Sequence, residues 1–188
     1  MAGSLSPSER SALLSLARRA VGLAAERQPL PPIDPGAFSA SLQEAGCSFV
    51  TLTRQGALRG CIGGLEPLLP LVEDVWQHAY AAAREDPRFA PVSPDELGQI
   101  AIEISRLTPA APLAGPLDQI PSALHPGIDG VILQQGRQRA TFLPQVWEKI
   151  EDPEVFLDML ADKAGLPRSA WRTGDAEVLV YQVESFEE

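Results

Sequence analysis

The spacing of apolar and polar side chains changes period several times along the chain, and each change marks an element. Leu13, Leu14, Leu16, Ala17, Ala20 and Val21 fall on one helical stripe. Ser6, Pro7 and Glu9 just ahead of it occupy the N-cap, first-turn and capping-box places of a helix start. The helix is predicted to stop before Gln28-Pro29-Leu30-Pro31-Pro32, a stiff extended connector. Residues 37–46 read as a loop or short turn leading into a strand over 48–53, where Phe49-Val50-Thr51-Leu52-Thr53 alternates with period two. Gln55-Gly56 reads as a turn, and residues 65–70 as a bend. Helical spacing returns over 71–85 through Val72, Val75, Trp76, Ala79, Tyr80 and Ala83, and the prolines at 87 and 91 end it. Residues 93–97 carry a further helix start. Ile100, Ile102 and Ile104 then alternate with Ala101, Glu103 and Ser105, as a strand with one apolar face does.

Residues 109–126 are rich in proline and alanine and read as a loop, the place for a border between two lobes. Val131-Ile132-Leu133 and residues 139–143, joined through Gln135-Gly136-Arg137, predict a hairpin. Pro144 opens a helix start over 144–150. Asp152 and Gly165 bracket a helix over 154–164. A last alternating strand covers 178–183. Helices interleaved with strands and at least one hairpin favour an α+β fold with a mostly antiparallel sheet flanked by helices. No P-loop and no strand-to-helix glycine fingerprint is present, which argues against a doubly wound nucleotide fold. A length of 188 residues suits a single domain, 1–188.

Charge narrows the partners. A formal net charge of −10 and a pI of about 4.7 oppose phosphate polymers and anionic membranes, and no run of Lys and Arg offsets them. No nucleic acid or membrane partner is expected. No stretch reaches the ~18 apolar residues of a membrane helix, and the N-terminus lacks the layout of a signal peptide. A cytoplasmic location is expected, with Cys47 and Cys61 reduced. Two separated cysteines with His78 and His125 make no metal pattern, and neither a metal nor a cofactor is expected.

The candidate chemistry gathers at Leu58-Arg59-Gly60-Cys61-Ile62-Gly63. The glycines predict a sharp bend that admits positive φ or a close neighbour and holds Arg59 and Cys61 toward one shared hollow. Cys61 is the candidate catalytic residue, a nucleophile beside a cation; the alternative is a small buried apolar side chain in a tight turn. His78 and His125 are candidate bases for that thiol. Asp86, Arg88 and Phe89 form an elbow after a helix. Arg88 could join Arg59 around an anionic ligand. Alternatively, Asp86 pairs with Arg88 or loop amides and Phe89 plugs the core. Glu103 faces either a cleft or water.

These residues resemble the AMME chromosomal region candidate family, the AMMECR domain, whose prokaryotic branch is protein A of the AmmeMemoRadiSam system. The resemblance rests on the hexapeptide 58–63 after the strand Phe49-Val50-Thr51-Leu52. It continues through Asp86-Pro87-Arg88-Phe89, Glu103-Ile104-Ser105, Asp129-Gly130, Leu143-Pro144-Gln145-Val146 and Lys163-Ala164-Gly165-Leu166. The resemblance implies two unequal lobes around an antiparallel sheet and a small-ligand cleft near the hexapeptide. Arg59, Gly60, Ile62, Gly63, Asp86, Arg88 and Glu103 are its binding or structural residues. It implies Memo-type and radical-SAM proteins as partners, an unidentified small molecule as ligand, and no particular reaction. The alternative is a Cys61-dependent enzyme acting on an anionic small molecule. Histidine at 78 and 125 is not part of the family pattern.

Overall fold

The computed structural model describes residues 4–188, so the first three residues of the N-terminal stretch lie outside it. The chain divides into two compact units. The first runs to Leu107 and takes back Glu184–Glu188; the second is Thr108–Val183.

The first unit contains helix α1 (Pro7–Ala25), the single turn α2 (Ala40–Gln43), strands β1 (Ala45–Arg54), β2 (Ala57–Gly63) and β3 (Leu69–Pro70), helix α3 (Leu71–Arg84) and strand β4 (Ile100–Leu107). Helix α1 starts as its sequence predicts, with Ser6 as N-cap, a closed Ser6–Glu9 capping box and Pro7 in the first turn. Strand β1 lies between β2 and β4 and is antiparallel to both, which leaves β2 at the edge. Alternation turns Val50, Leu52, Ile102 and Ile104 to one face, where they are buried with Leu13, Ala17 and Val21 of α1 and Val72, Val75 and Ala79 of α3. The alanines let the helix backbones come close to the sheet. The connector over 28–33 is tied to α3 by two aromatic tips. Trp76 Nε1 donates to the Pro31 carbonyl and Tyr80 Oη to the Gln28 carbonyl, each at 2.9 Å.

The helix start at Ser93 yields only a 3₁₀ segment, Pro94–Gln99, because β4 begins at the next residue. Its capping box between Ser93 and Glu96 is nonetheless closed.

The second unit holds strand β5 (Ala111–Pro112), the single turn α4 (Ile120–Ala123), strands β6 (Asp129–Gln135) and β7 (Gln138–Phe142), helices α5 (Pro153–Ala164) and α6 (Ala170–Thr173), and most of strand β8 (Glu177–Glu187). The hairpin predicted at 131–143 is β6–β7, turning at Gly136 with φ 58°. Strand β8 pairs antiparallel with β6. Helix α5 is capped by Asp152 and ends at Gly165, φ 73°, as read from the sequence. Its Phe156 stacks flat on Trp147 with centroids 3.7 Å apart, at the centre of that unit's core. The segment opening at Pro144 is a 3₁₀ turn, Pro144–Glu148, rather than a longer helix. The result is an α+β protein with antiparallel strands flanked by helices.

Candidate functional site

The hexapeptide is a strand, not the sharp bend its glycines predict. Residues 57–63 form β2, joined to β1 by the two-residue turn Gln55-Gly56, both at positive φ (53° and 79°) as a tight hairpin requires. The register pairs Leu52 with Gly60 but Thr53 with Leu58, so Arg59 is the extra residue of a β-bulge. Neither Gly60 nor Gly63 has positive φ; what both need is room. A Cβ on Gly60 would lie 2.2 Å from the Ala82 carbonyl oxygen of α3. One on Gly63 would lie 2.4 Å from the Phe49 ring and 2.5 Å from the Ser48 carbonyl oxygen. Glycine is therefore what allows β2 to lie directly against α3 at position 60 and beside the Phe49 ring of β1 at position 63.

An edge strand exposes backbone donors and acceptors, and here Asp86 and Arg88 occupy them. Asp86 Oδ2 accepts the Cys61 amide at 2.9 Å, while Arg88 Nη2 donates to the Cys61 carbonyl at 3.3 Å. The two side chains are also bound to each other, Nε to Oδ1 at 2.9 Å and Nη2 to Oδ2 at 2.7 Å, and Asp86 Oδ1 accepts the Arg88 amide. Asp86 is only 4% exposed, although it lies just beyond a helix end. The Arg88 guanidinium, helped by the two backbone amides, holds its carboxyl well below the usual carboxylate range against the opposing effect of burial. Phe89 does not plug the core; it is half-buried, with the Arg88 guanidinium 5.5 Å from its ring centre.

Arg59 does not share a hollow with Cys61. Its side chain is 16% exposed and closes a fork on Glu96, Nε to Oε1 at 2.8 Å and Nη2 to Oε2 at 3.0 Å. Nη1 donates to the Ala90 carbonyl at 2.9 Å. The same Glu96 accepts from Arg54 and from the Ser93 amide. Glu96 is not among the site residues the sequence suggests; the Ser93-to-Glu96 capping-box spacing is a signal for where its carboxylate lies but not for its second duty. Arg59 chiefly, with the Ser93 donors, lowers the Glu96 pKa from 4.5 to about 2. A carboxyl depressed in the folded state stabilises fully above its unfolded pKa and loses that contribution as pH falls through the folded value. Thermal melts should therefore show the gap between wild type and Glu96→Gln, roughly 1–3 kcal/mol near neutrality, closing as pH falls from 4.5 to about 2. A gap that stays constant across that range would contradict the pairing.

Cys61 is half-buried and stands in a row across three strands, opposite Thr51, which is opposite Glu103. Thr51 Oγ1 donates to Sγ at 3.3 Å. The thiol also lies within the electrostatic reach of Arg88, so Arg88 rather than Arg59 is the cation beside it. Glu103 accepts from Ser105 at 3.3 Å. Ile62 packs toward the core shared with α3. The histidines are engaged elsewhere. His78 Nδ1 is 3.1 Å from Asp74, whose same oxygen accepts the Ser48 hydroxyl at 2.6 Å, and His125 Nδ1 is 3.0 Å from Asp129. Cys47 is buried. Among the described residues no group of three or more His, Cys, Asp and Glu side chains could hold a metal ion, and no helix is long and apolar enough to cross a membrane.

The AMMECR1 family model matches residues 14–186. A protein of Thermofilum pendens is 40% identical, covering 99% of this chain and 92% of its own length. One of Thermococcus gammatolerans is 44% identical over 74% of this chain and 71% of its own. The crystal structure of the uncharacterized protein PH0010 from Pyrococcus horikoshii superposes with a TM-score of 0.72 at 38% identity, covering 94% of this chain and 89% of that one.

Proposed function

Since the chain belongs to the AMMECR1 family, we propose that it serves as a binding component acting with Memo-type and radical-SAM proteins, and that its hexapeptide is the framework of that role. The observation that carries this reading is the state of the two arginines. Arg59 is forked onto Glu96 and Arg88 onto Asp86, so each guanidinium already has a carboxylate. A site for an anionic small molecule needs cations free to meet it, since a paired arginine offers the ligand only what its partner leaves. The glycines and the carboxylates instead act together to fix one edge strand against one helix, which suits a rigid contact surface.

A second reading has its own observation. The half-buried Cys61 thiol receives the Thr51 hydroxyl and feels the Arg88 charge. In that reading Cys61 is the nucleophile of an enzyme, and Thr51, Glu103 and Arg88 line its small-molecule site. One variant separates the two. Capture of co-expressed Memo-type and radical-SAM proteins by tagged Cys61→Ser is expected to match wild type within about twofold, a change of less than ~0.5 kcal/mol. Loss of capture by a Cys61→Ser protein that melts like wild type would shift the assignment to Cys61 chemistry. Failure of wild type to capture either protein would overturn the partner reading itself.

A further inference from the structure

A groove of about 720 Å³ lies along α3, with Leu30, Ile33, Ile62 and Tyr80 as its apolar lining and Glu73 and Glu85 among its polar groups. Its size suits a bound ligand or a short peptide. The two carboxylates distinguish these. Glu73 lies in the first turn of α3 and Glu85 is its C-cap, about 18 Å apart along the axis at 1.5 Å per residue. Neither carries an ion pair among the described residues, unlike Asp86 and Glu96. Glu85 also sits where the helix dipole disfavours an anion and returns no contact for that cost. Two unpaired anions borne about three helical turns apart, with apolar side chains in the same groove, complement a chain with a cation at each end. An extended segment covers 18 Å in about five or six residues.

We infer that this groove binds an extended segment of a partner protein with a basic residue at each end of a short apolar stretch. The inference deepens the reading of the protein as a binding component and rests on it. The carboxylates set charge and length, Tyr80 and Ile62 take the apolar middle, and the overall charge of −10 steers basic segments toward the protein.

The test uses the full chain and a fluorescein-labelled hexapeptide, Lys-Leu-Pro-Leu-Leu-Lys, followed by anisotropy. Saturable binding that weakens with added salt is expected. Glu73→Gln with Glu85→Gln should weaken it at least tenfold, and the reversal Glu73→Lys with Glu85→Lys should transfer binding to the same peptide with glutamate ends. Both changes are on solvent-accessible side chains, so fold is checked by melting alone. No saturable binding, or equal binding by wild type and the Gln pair, would overturn the inference. Capture of the Memo-type and radical-SAM proteins unchanged in the Gln pair would also overturn it, while leaving the broader binding role intact.

Discussion

Replacing Gly60 with alanine is expected to lower the unfolding free energy by about 3 kcal/mol or more, roughly 6–12 °C in melting temperature for a chain of this length. The new methyl would sit 2.2 Å from the Ala82 carbonyl oxygen. That oxygen belongs to helix backbone, so no rotamer change can withdraw it. Relief requires β2 to move off α3, and that movement pulls Ile62 from the core and Cys61 from Asp86. Gly64→Ala is the internal control. There the added Cβ meets only the His78 ring, at 3.4 Å, and the expected cost is below about 0.5 kcal/mol. Equal melting temperatures for the two variants would mean that β2 does not lie against α3 as described.

The second large effect belongs to Asp86. Asp86→Ala strips the Cys61 amide of its acceptor and empties a buried site, and the expected loss is about 2–3 kcal/mol. The loss is not larger because Arg88, with its side chain 53% exposed, can turn to water once its partner is gone. The pH dependence follows from the depressed carboxyl. The contribution is complete above the ordinary aspartate value of 3.8 and fades as pH falls through the lower folded-state value. Wild type should thus lose its advantage over Asp86→Ala only in strong acid, in a thermal-melt series run from neutrality downward. An advantage that faded between pH 7 and 5 would rule out the carboxylate as its source.

What the sequence revealed and what it hid divide along contact range. Helix starts and stops are local, so Ser6, Pro7 and Glu9 on α1, and Asp152 and Gly165 on α5, were legible residue by residue. So were the β6–β7 hairpin and the alternating face of β4. The hexapeptide reads as a bend in the sequence because its two glycines and a bulge erase the period-two signal of a strand. Its glycines were correctly singled out, but for a reason visible only in three dimensions: the backbone of α3 and the Phe49 ring fill the space beside them. The pairing of Asp86 with Arg88 lies two residues apart and was one of the readings available. Asp86 reaching Cys61 across 25 positions and Arg59 reaching Glu96 across 37 leave no local trace, so Arg59 looked available when it is not. The expectation of Arg59 and Cys61 facing a common hollow failed for that reason.

The geometry of the site turns on the Cys61 amide given to buried Asp86 at the edge of the sheet. Amide hydrogen exchange of Cys61, in wild type and Asp86→Ala, measures it directly. Slow exchange is expected in wild type, slower than an unpaired edge-strand amide, with a selective acceleration of that one position in the variant while core amides of β1 and β4 keep their protection. Fast exchange of Cys61 in the unaltered protein, or protection that survives Asp86→Ala unchanged, would contradict it.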